Sequence, residues 1–329
     1  MNHERRAAIA GTGSYLPERI LSNADLERLV DTSDCWIVER TGIRERRIAA
    51  PDETTSTMAA RAAERACADA CIAPSEVDLI LVATVTPDYV FPSTSCLVQQ
   101  AIGAPRAACF DLVAACSGFI YAMRTAAAMI VSGLHENVLV IGAETLSRIV
   151  NYQDRSTCIL FGDGAGAVLM RESTTGSGMI HSRLCADGSQ WDVMQIPAGG
   201  SKLPASCQTV RERKHFIEIA GRRVFRFATT TFIDLIEDAM NTCRLSLDDI
   251  ALVIPHQVNE RIIELAIRKL ELPREKCVIN IDRYGNTSSA SVPIALDEAR
   301  REGRLASGDV LIMLAFGAGL TWGSAVVKM

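Results

Sequence analysis

Cys116 has the surroundings that a reactive thiol requires. It lies in the stretch FDLVAACSGF, after an apolar run over Ala108–Ala115 that predicts a buried strand and before FIYAMRTAAAMI, whose spacing predicts a helix. At such a strand-to-helix turn, the positive end of the helix macrodipole favours a thiolate. Small neighbours leave room for a substrate. These features favour a nucleophile, and the alternative is a buried apolar cysteine, which fits most of the chain's other cysteines.

Two further residues lie at turns and could act together with a thiol. His256 follows Pro255 and a predicted strand, and it precedes a predicted helix. It therefore lies at the carboxyl end of a strand, where ligands of α/β folds often bind. Asn286 follows Gly285 in RYGNTSSASVP, and this pair is typical of a tight turn. A lone histidine and a turn asparagine are more often structural, so these residues alone leave both interpretations open.

The elements that must position these residues alternate between short apolar strands and longer helices, which indicates an α/β fold with largely buried strands. The predicted strands are Leu79–Thr84, Val138–Ile141, Ala165–Met170, Ile250–Ile254 and Val310–Ala315. The predicted helices are Thr57–Cys71, Gly118–Ser132, Arg222–Arg244, Asn259–Leu270 and Val292–Glu302.

The two halves of the chain resemble each other. Three pairs of landmarks have nearly the same separation, namely Asp78 and Asp249 (171 residues), Val138 and Val310 (172), and Cys116 and Asn286 (170). This offset predicts two copies of one α/β unit, although α/β chains also produce chance matches. We expect the site at the join of the copies, with the turn at Asn286 in the place that Cys116 has in the first half, facing it.

The predicted domain boundaries follow from this repeat. We expect an N-terminal half over residues 1–172 with the nucleophilic cysteine, and a C-terminal half over residues 219–329 with the histidine and the asparagine. The segment 173–218 between them is rich in glycine, serine and proline, as in MQIPAGGSKLPAS, which predicts a long loop. Such a loop is either a lid or interface element, or a plain connection.

The composition excludes several classes of function. The net charge of −5 and the pI of about 5.7 give no bulk attraction to nucleic acid. The histidines lack a metal-binding spacing and the cysteines lack a C-x-x-C pair, so we expect neither a metal nor a disulfide framework. No apolar run is long enough to cross a membrane, and we expect a soluble cytoplasmic protein. The runs GTGSYLP and FGDGAGAV lack the spacing of a dinucleotide loop, which argues against a nicotinamide cofactor.

A set of motifs from about residue 10 to the C-terminus resembles the beta-ketoacyl-acyl-carrier-protein synthase III family, the condensing enzymes that start bacterial fatty acid synthesis. The motifs are, in family order, VDTSDCWIVERTGIRERRIA, FDLVAACSGF, FGDGAGAV, PHQVNERI, YGNTSSASVP and FGAGLTWGSAVV. The resemblance implies a thiolase-like fold, in which two duplicated α/β halves form α-β-α-β-α layers. It also implies a homodimer that needs no cofactor.

The resemblance further implies a catalytic set of Cys116, His256 and Asn286. Cys116 would attack an acyl-CoA primer, with acetyl-CoA the expected one, and hold the acyl group. Malonyl-acyl-carrier protein would then lose carbon dioxide, and His256 and Asn286 would donate hydrogen bonds to the enolate oxygen. The backbone N–H groups of Cys116 and Ala318 would bind the acyl oxyanion. Ala318 replaces a glycine that is common in the family, which is tolerable where the backbone accommodates a Cβ.

The implied CoA site uses four residues of three regions of the sequence. Trp36 and Arg155 would enclose the adenine, which is physically sensible for an indole and a guanidinium. Arg40 would lie near the phosphates, and Asn259 would lie on the pantetheine. Without the resemblance, a core aromatic is the default interpretation of Trp36. Phe91 in DYVFPSTS would close the acyl tunnel across the subunit boundary.

An acidic carrier protein would need a basic surface on this acidic chain. The implied contacts lie on two predicted helices and are Arg261, Arg268, Lys269, Arg222 and Arg226, with Arg223 adjoining. Ordinary solvated helix faces are the alternative, and nearby glutamates reduce the positive charge.

Other functions remain as alternatives. Branches of the same fold that use a second histidine, a second cysteine or a glutamate do not match Asn286, whereas chalcone-synthase-like enzymes share the Cys–His–Asn set. The ending FGAGLTWGS favours synthase III over these. Within the family, an acyltransferase or a polyketide starter enzyme of secondary metabolism is the first alternative. From another class, a non-catalytic acyl-CoA-binding protein is the second.

Overall fold

The computed structural model describes residues 5–173 and 175–329; residues 1–4 of the predicted first half and position 174 lie outside them. The strands are Ala7–Tyr15 (β1), Ile20–Ser22 (β2), Glu45–Arg47 (β3), Leu79–Ala83 (β4), Ala108–Leu112 (β5), Asn137–Glu144 (β6), Gly164–Glu172 (β7), Gly178–Ala186 (β8), Met194–Gln195 (β9), Glu218–Ile219 (β10), Ile250–Pro255 (β11), Val310–Gly317 (β12) and Thr321–Lys328 (β13). The α-helices are Asn23–Glu27 (α1), Asp34–Thr41 (α2), Thr55–Asp69 (α3), Thr94–Ile102 (α4), Gly118–Val131 (α5), Arg155–Cys158 (α6), Cys207–Arg211 (α7), Gly221–Cys243 (α8), Glu260–Leu270 (α9), Ile281–Tyr284 (α10) and Ser291–Arg301 (α11).

Two sheets with the same strand order form the centre of the protein. The first has the order β1-β7-β6-β4-β5, and the second has the order β8-β13-β12-β11. In each sheet the first two pairings are antiparallel and the third is parallel. The counterpart of β5 in the second half is a single parallel bridge between Val253 and Cys277. This correspondence confirms the predicted α/β fold with two similar halves.

The segment 173–218 is not a plain loop, because it contains the strands β8 and β9, the short helix α7 and the first residue of β10, and β8 is the longest of these. Gly178–Ala186 forms β8, which pairs along its whole length with β13 and corresponds to β1 of the first half. β8 is an edge strand with one partly exposed face, and polar residues such as His181 and Arg183 weaken the apolar pattern of a buried strand. We propose that the junction of the two halves lies between β7 and β8, and not after residue 218.

The helices complete five layers. α3 and α4 pack on the outer face of the first sheet, and α8 and α9 pack on the outer face of the second sheet. α5 and α11 fill the space between the two sheets, where they form the largest apolar core. The close approach of α3 to β1 requires glycine, since a Cβ at Gly13 would lie 2.4 Å from the carbonyl oxygen of Ala62. The α-β-α-β-α layering is therefore confirmed.

Two matching turns meet where the halves join. The 3₁₀ turns Ala115–Ser117 and Ser288–Ala290 precede α5 and α11, and both begin at a non-glycine residue of positive φ (45° at Ala115 and 50° at Ser288). The turns face each other, as predicted. The structural counterpart of Cys116 is thus Ser289 and not Asn286, because the distance from the landmark aspartate to the turn is two residues longer in the second half (249 to 289) than in the first (78 to 116).

Candidate active site

Cys116 lies in the middle of the turn between β5 and α5. It is 6% exposed, and the positive φ of Ala115 aims the turn between the two halves. Thr321 connects this turn with the loop after β12, since its hydroxyl lies 3.0 Å from the carbonyl oxygens of both Ala114 and Ala318. The predicted strand-to-helix position of the thiol is confirmed.

The ionisation of Cys116 differs from the sequence-based expectation. Burial raises the pKa of the thiol to about 12, although the Ser288 hydroxyl and the N–H of Cys116 itself lower it, and the nearby Glu144 raises it further. Desolvation therefore outweighs the helix N-terminus, and the unliganded protein holds a neutral thiol. The thiolate expected from the helix end alone is therefore not supported for the free protein.

His256 follows the last residue of β11 and lies fully buried between the halves. Its N–H donates to the carbonyl of Leu314 on β12 (2.8 Å), and its ring meets the edge of Phe316 at a centroid distance of 5.9 Å. Burial lowers the pKa of His256 to about 3. The imidazole is therefore neutral at physiological pH, as a hydrogen-bond donor for an enolate oxygen would require.

Ser291 determines which nitrogen of His256 has the proton. The Ser291 Oγ lies 2.7 Å from Nδ1 of His256, and the N–H of Gln257 donates to the same oxygen (3.4 Å). We propose that the Ser291 hydroxyl, which accepts from Gln257, donates its own proton to Nδ1, and this arrangement leaves the hydrogen on Nε2. Within the described residues Nε2 is buried and has no partner. The histidine therefore offers one N–H to a ligand.

Asn286 is held by both its backbone and its side chain. Its N–H donates to the carbonyl of Leu160 (2.8 Å), and its carbonyl accepts from Gly162 (3.0 Å), which ties the turn to the first half. The N–H of Ser288 donates to Oδ1 of Asn286 (2.8 Å). Since Oδ1 is occupied in this way, the amide group at Nδ2 is the donor that Asn286 can offer to a ligand.

An apolar cavity of about 190 Å³ begins at Cys116. Ser288 and Ala318 line it together with the thiol, and its walls also include Leu146 and Phe161. The segment between the predicted halves contributes further wall residues that the sequence analysis missed, namely Met194, Gln195, Ile196 and Ile217. This supports the lid or interface interpretation of that segment. The available signal was the apolar alternation in MQI beside the glycine- and proline-rich run.

The loop after β12 explains why alanine is tolerated at position 318. A Cβ at Gly317 would lie 2.6 Å from the backbone nitrogen of Cys116, and Gly319 has a φ of 136°. Ala318 lies on the cavity and is not among the described non-glycine residues of positive φ. Glycine is thus needed at positions 317 and 319 for close approach and for backbone conformation, and position 318 can have a side chain.

The four residues assigned to CoA lie together at the ends of α2, α6 and α9. The guanidinium carbons of Arg40 and Arg155 lie 4.6 and 4.9 Å from the centre of the Trp36 ring. Trp36 and Arg155 already contact each other, so a base can enter between them only if they separate. Asn259 caps α9 by accepting from the N–H of Arg261 (2.9 Å) and donates to the carbonyl of Arg40 (2.9 Å). Its amide therefore already joins α9 to α2.

The basic residues assigned to a carrier protein form two exposed groups. Arg261 and Arg268 line a groove of α9 together with Phe225, and Lys269 adjoins. Arg274 forms ion pairs with Glu260 (3.0 Å) and Glu264 (2.8 Å), which removes much of the acidic charge expected near this groove. In the second group, Arg222 and Arg226 line a groove of α8 with Gln190, and Arg223 pairs with Asp192.

Phe91 does not line the cavity of its own chain. It is 85% exposed in the loop after β4, where Tyr89 and Val90 are exposed as well. Val113, just after the edge strand β5, is also exposed. These side chains form an apolar surface at that edge of the first sheet.

Residues 5–173 and 175–329 lack two kinds of feature. No group of three or more histidine, cysteine, aspartate or glutamate side chains there is arranged to hold a metal ion. In the same residues no helix has the length and the apolar character needed to span a membrane.

Comparison with known proteins identifies the family. Models of the 3-oxoacyl-[acyl-carrier-protein] synthase III and of its C-terminal region match residues 110–188 and 240–329. The beta-ketoacyl-[acyl-carrier-protein] synthase III of Desulfitobacterium hafniense is 52% identical over 97% of both chains, and that of Caldanaerobacter subterraneus is 53% identical over 98% of this chain and 97% of its own. The chain belongs to this family.

Solved structures agree with this assignment. The crystal structure of 3-oxoacyl-[acyl-carrier-protein] synthase III from Aquifex aeolicus has a TM-score of 0.91 and 46% identity over 98% of this chain and 100% of its own. The priming beta-ketosynthase of the R1128 polyketide pathway has a TM-score of 0.92 and 34% identity over 100% of this chain and 98% of its own. The thiolase-like fold expected from the sequence is therefore confirmed.

The geometry of the loop after β12 predicts that substitutions at positions 317 and 318 have different effects on stability. Gly317→Ala forces a Cβ against the nitrogen of Cys116, so we expect unfolding free energy to fall by about 1–3 kcal/mol and alkylation of Cys116 by iodoacetamide to change. The matched variant Ala318→Gly should change stability by less than about 1 kcal/mol and leave alkylation near the rate of the parent protein. Thermal unfolding and alkylation kinetics measure both; equal effects of the two variants would contradict this account.

The burial of His256 predicts its protonation state. We expect one histidine in ¹⁵N-labelled protein to stay neutral from pH 5 to 8 with the proton on Nε2, because its pKa is lowered to about 3. The corresponding resonances should be absent in His256→Asn. Ser291→Ala should shift the signals of this histidine towards a mixture of tautomers. Titration of this residue near pH 6.5, or an unchanged tautomer in Ser291→Ala, would disprove the assignment.

Proposed function

We propose that this chain condenses an acyl-CoA primer with malonyl-acyl-carrier protein, with loss of carbon dioxide, to form 3-ketoacyl-acyl-carrier protein and so begin fatty acid synthesis. The observation that carries the proposal is that the elements bearing the three residues meet at the junction of the halves: the turn of Cys116 packs against the turn after Asn286, and His256 contacts Phe316, whose neighbour Gly317 approaches Cys116. A thiol and two neutral donors are the groups that acyl transfer followed by decarboxylation requires.

Loading of the primer uses the first half of the site. The sulfur of Cys116 attacks the thioester carbonyl, the bond to the CoA sulfur breaks, and the thiol proton ends on the departing CoA. The N–H groups of Cys116 and Ala318 hold the oxyanion that forms in between. Both belong to turns that Thr321 connects, so the two donors keep a fixed relation. The acyl group then occupies the apolar cavity beside the thiol.

Condensation uses the second half of the site. Malonyl-carrier protein loses carbon dioxide, and the electron pair of the broken bond forms an enolate. Nε2–H of His256 and the Nδ2 amide of Asn286 donate to the enolate oxygen. The enolate carbon attacks the acyl carbonyl on Cys116, and the thiolate that leaves regains a proton. Decarboxylation itself supplies the carbanion, so a neutral histidine is suited to the step, and losing one such donor costs about 100- to 1000-fold in rate.

The volume of the cavity indicates the size of the acyl primer that can enter. Acetyl-CoA is the expected primer, but the cavity of about 190 Å³ exceeds an acetyl group considerably. An engineered apolar cavity of about 150 Å³ holds benzene, a six-carbon ring. We therefore propose that primers larger than acetyl also enter, with Leu146 and Ile217 among the walls that limit their size.

The proposed partners include a second copy of this chain. β5 is the edge strand of the first sheet, and Phe110 and Val113 leave apolar surface exposed there. Pairing of this edge with the same edge of another copy would cover both, which supports a homodimer with Phe91 near the boundary. We also propose a cytoplasmic location, since all the cysteines are free.

A second candidate is an acyltransferase or a starter enzyme of secondary metabolism. The likeness to the R1128 priming beta-ketosynthase supports it. Simple transfer to an alcohol or amine needs no enolate site, and the donors His256 and Asn286 argue for condensation. A non-catalytic acyl-CoA-binding protein would need neither these donors nor the cavity at Cys116.

One assay separates these functions. Acyl-CoAs from acetyl to octanoyl are supplied with malonyl-carrier protein, and carbon dioxide, acyl-enzyme and ketoacyl product are measured. We expect all three with the native protein, and no acyl-enzyme with Cys116→Ala. Acyl-enzyme without carbon dioxide would favour plain transfer, and no acyl-enzyme would favour binding alone. Labelling that persists in Cys116→Ala would refute the nucleophile.

The basic groove of α9 predicts that a charge reversal there impairs the use of malonyl-carrier protein but not the loading of acyl-CoA. Arg261→Glu should weaken the use of malonyl-carrier protein about tenfold or more, because an acidic carrier protein meets a reversed charge. Loading of Cys116 from acyl-CoA should stay unchanged. The matched control is Arg171→Glu, which makes the same change of charge at an exposed position at the end of β7, in the first half, and should leave both half-reactions unchanged. Equal losses in both half-reactions of Arg261→Glu would contradict a carrier-protein contact.

A further inference from the structure

Glu144 is a buried carboxylate that contacts both halves of the active site. It is the last residue of β6, and it is 0% exposed. Its oxygens accept hydrogen bonds from the segment after β4 and from the turn before α11, namely from Thr84 Oγ1 (3.2 Å), Val85 N (3.1 Å), Thr86 Oγ1 (2.7 Å), Ser288 Oγ (3.0 Å) and Ser289 Oγ (2.9 Å). None of the roles assigned above uses it.

The surroundings of Glu144 are built to receive a carboxylate. The hydroxyl oxygen of Thr84 accepts from the N–H of Thr86 (3.1 Å), and that of Thr86 accepts from the N–H of Thr145 (2.9 Å). The hydroxyl protons of both threonines are therefore available to Glu144. In the described residues no lysine or arginine forms an ion pair with it. A negative charge on Glu144 is therefore stabilised by hydrogen-bond donors and not by a cationic side chain.

Ser288 connects this carboxylate with the catalytic residues. Its hydroxyl donates to Glu144, and its N–H donates to Oδ1 of Asn286 (2.8 Å). Ser288 also lines the cavity beside Cys116, and its φ of 50° is a conformation that a serine adopts only when its surroundings hold it. Glu144 thus fixes the residue that orients Asn286 and that faces the thiol.

We propose that Glu144 is a positioning residue that fixes the Asn286 turn through Ser288 and places a negative charge beside Cys116. The charge opposes ionisation of the thiol in the free protein, in the direction already described for the pKa of Cys116. The other groups that act on this thiol are the Ser288 hydroxyl and its own N–H, and the buried His256 is neutral. Burial raises the pKa of Glu144, while the hydrogen bonds lower it.

The test replaces the carboxylate by its neutral isostere. Glu144→Gln removes the charge, so alkylation of Cys116 by iodoacetamide at pH 8 should become about threefold faster or more, since each unit of thiol pKa changes the thiolate fraction tenfold and lower basicity offsets part of the gain. The rate is measured against Cys116→Ala as background, with thermal unfolding as a check of folding. An unchanged or slower rate in folded Glu144→Gln overturns the proposal.

A matched variant separates charge from structure. Thr86→Val removes one donor to Glu144 but keeps the carboxylate, so alkylation should not become faster. The same acceleration in Thr86→Val would show a structural effect and overturn the charge assignment. Should Glu144→Gln not fold, Ser288→Ala removes the hydroxyl that links Glu144 to the Asn286 turn, and carbon dioxide release should fall relative to acyl loading; an unchanged ratio would refute the connection.

The proposed positioning of Asn286 by Glu144 can also be measured through the reaction, and this second test rests on the proposed function. In Glu144→Gln, carbon dioxide release from malonyl-carrier protein should fall about tenfold or more relative to acyl loading, because Asn286 loses its orientation. An unchanged ratio would overturn this role. The alkylation test needs no substrate. If neither the native protein nor the variant releases carbon dioxide, the proposed function is wrong. The effect of Glu144 on Cys116 is then still tested by the alkylation rates.

Discussion

The packing of the turn Ala115–Ser117 against the turn Ser288–Ala290 is the contact on which the site depends. Each turn begins at a residue of positive φ and leads into a helix that lies between the sheets. β6 approaches the second turn so closely that Gly142 can have no side chain, since a Cβ there would lie 2.2 Å from the carbonyl oxygen of Ser289. The two sheets, the central helices and the glycines along the junction serve to bring these turns together.

Burial at this junction determines the charge states of the site. The same desolvation that raises the pKa of Cys116 lowers that of His256, so both are neutral in the free protein. A neutral imidazole suits a reaction in which the substrate generates its own carbanion. The neutral thiol is equally suited to a site that waits for a thioester, because it resists alkylation and oxidation until substrate arrives.

The loop after β12 shows how a departure from the family pattern is accommodated. Gly317 and Gly319 meet separate constraints, one of space and one of backbone conformation, whereas Ala318 meets neither. The alanine keeps the N–H that an oxyanion requires. The glycines expected at the three positions 317–319 therefore would not all be needed for the same reason. In this chain only positions 317 and 319 require glycine.

Local patterns were sufficient for the strands and helices that they predicted, but they did not reveal β1, β13 or α4, and the proposed catalytic set came from the family resemblance. The predicted ends of the helices and strands differ from the observed ones by at most three residues, because apolar periodicity reports burial directly. β8 escaped prediction, since an edge strand with a polar face lacks that periodicity. The constant offset indicated the duplication, but it paired Cys116 with Asn286, and only backbone conformation identified Ser289 as the counterpart.

Residues that act through distant contacts could not be found in the sequence. Ser291 lies 35 positions from His256, and Glu144 lies 144 positions from Ser288, and no local pattern marks either pair. The wall residues Met194 and Ile217 lie in a segment without regular periodicity. The thiolate expected at FDLVAACSGF followed from a helix end alone, and burial, which only the packing of two halves creates, reversed it. The amino-acid sequence by itself thus determined which reactive side chains are present. Tertiary packing decided their protonation, their orientation and their hydrogen-bond partners.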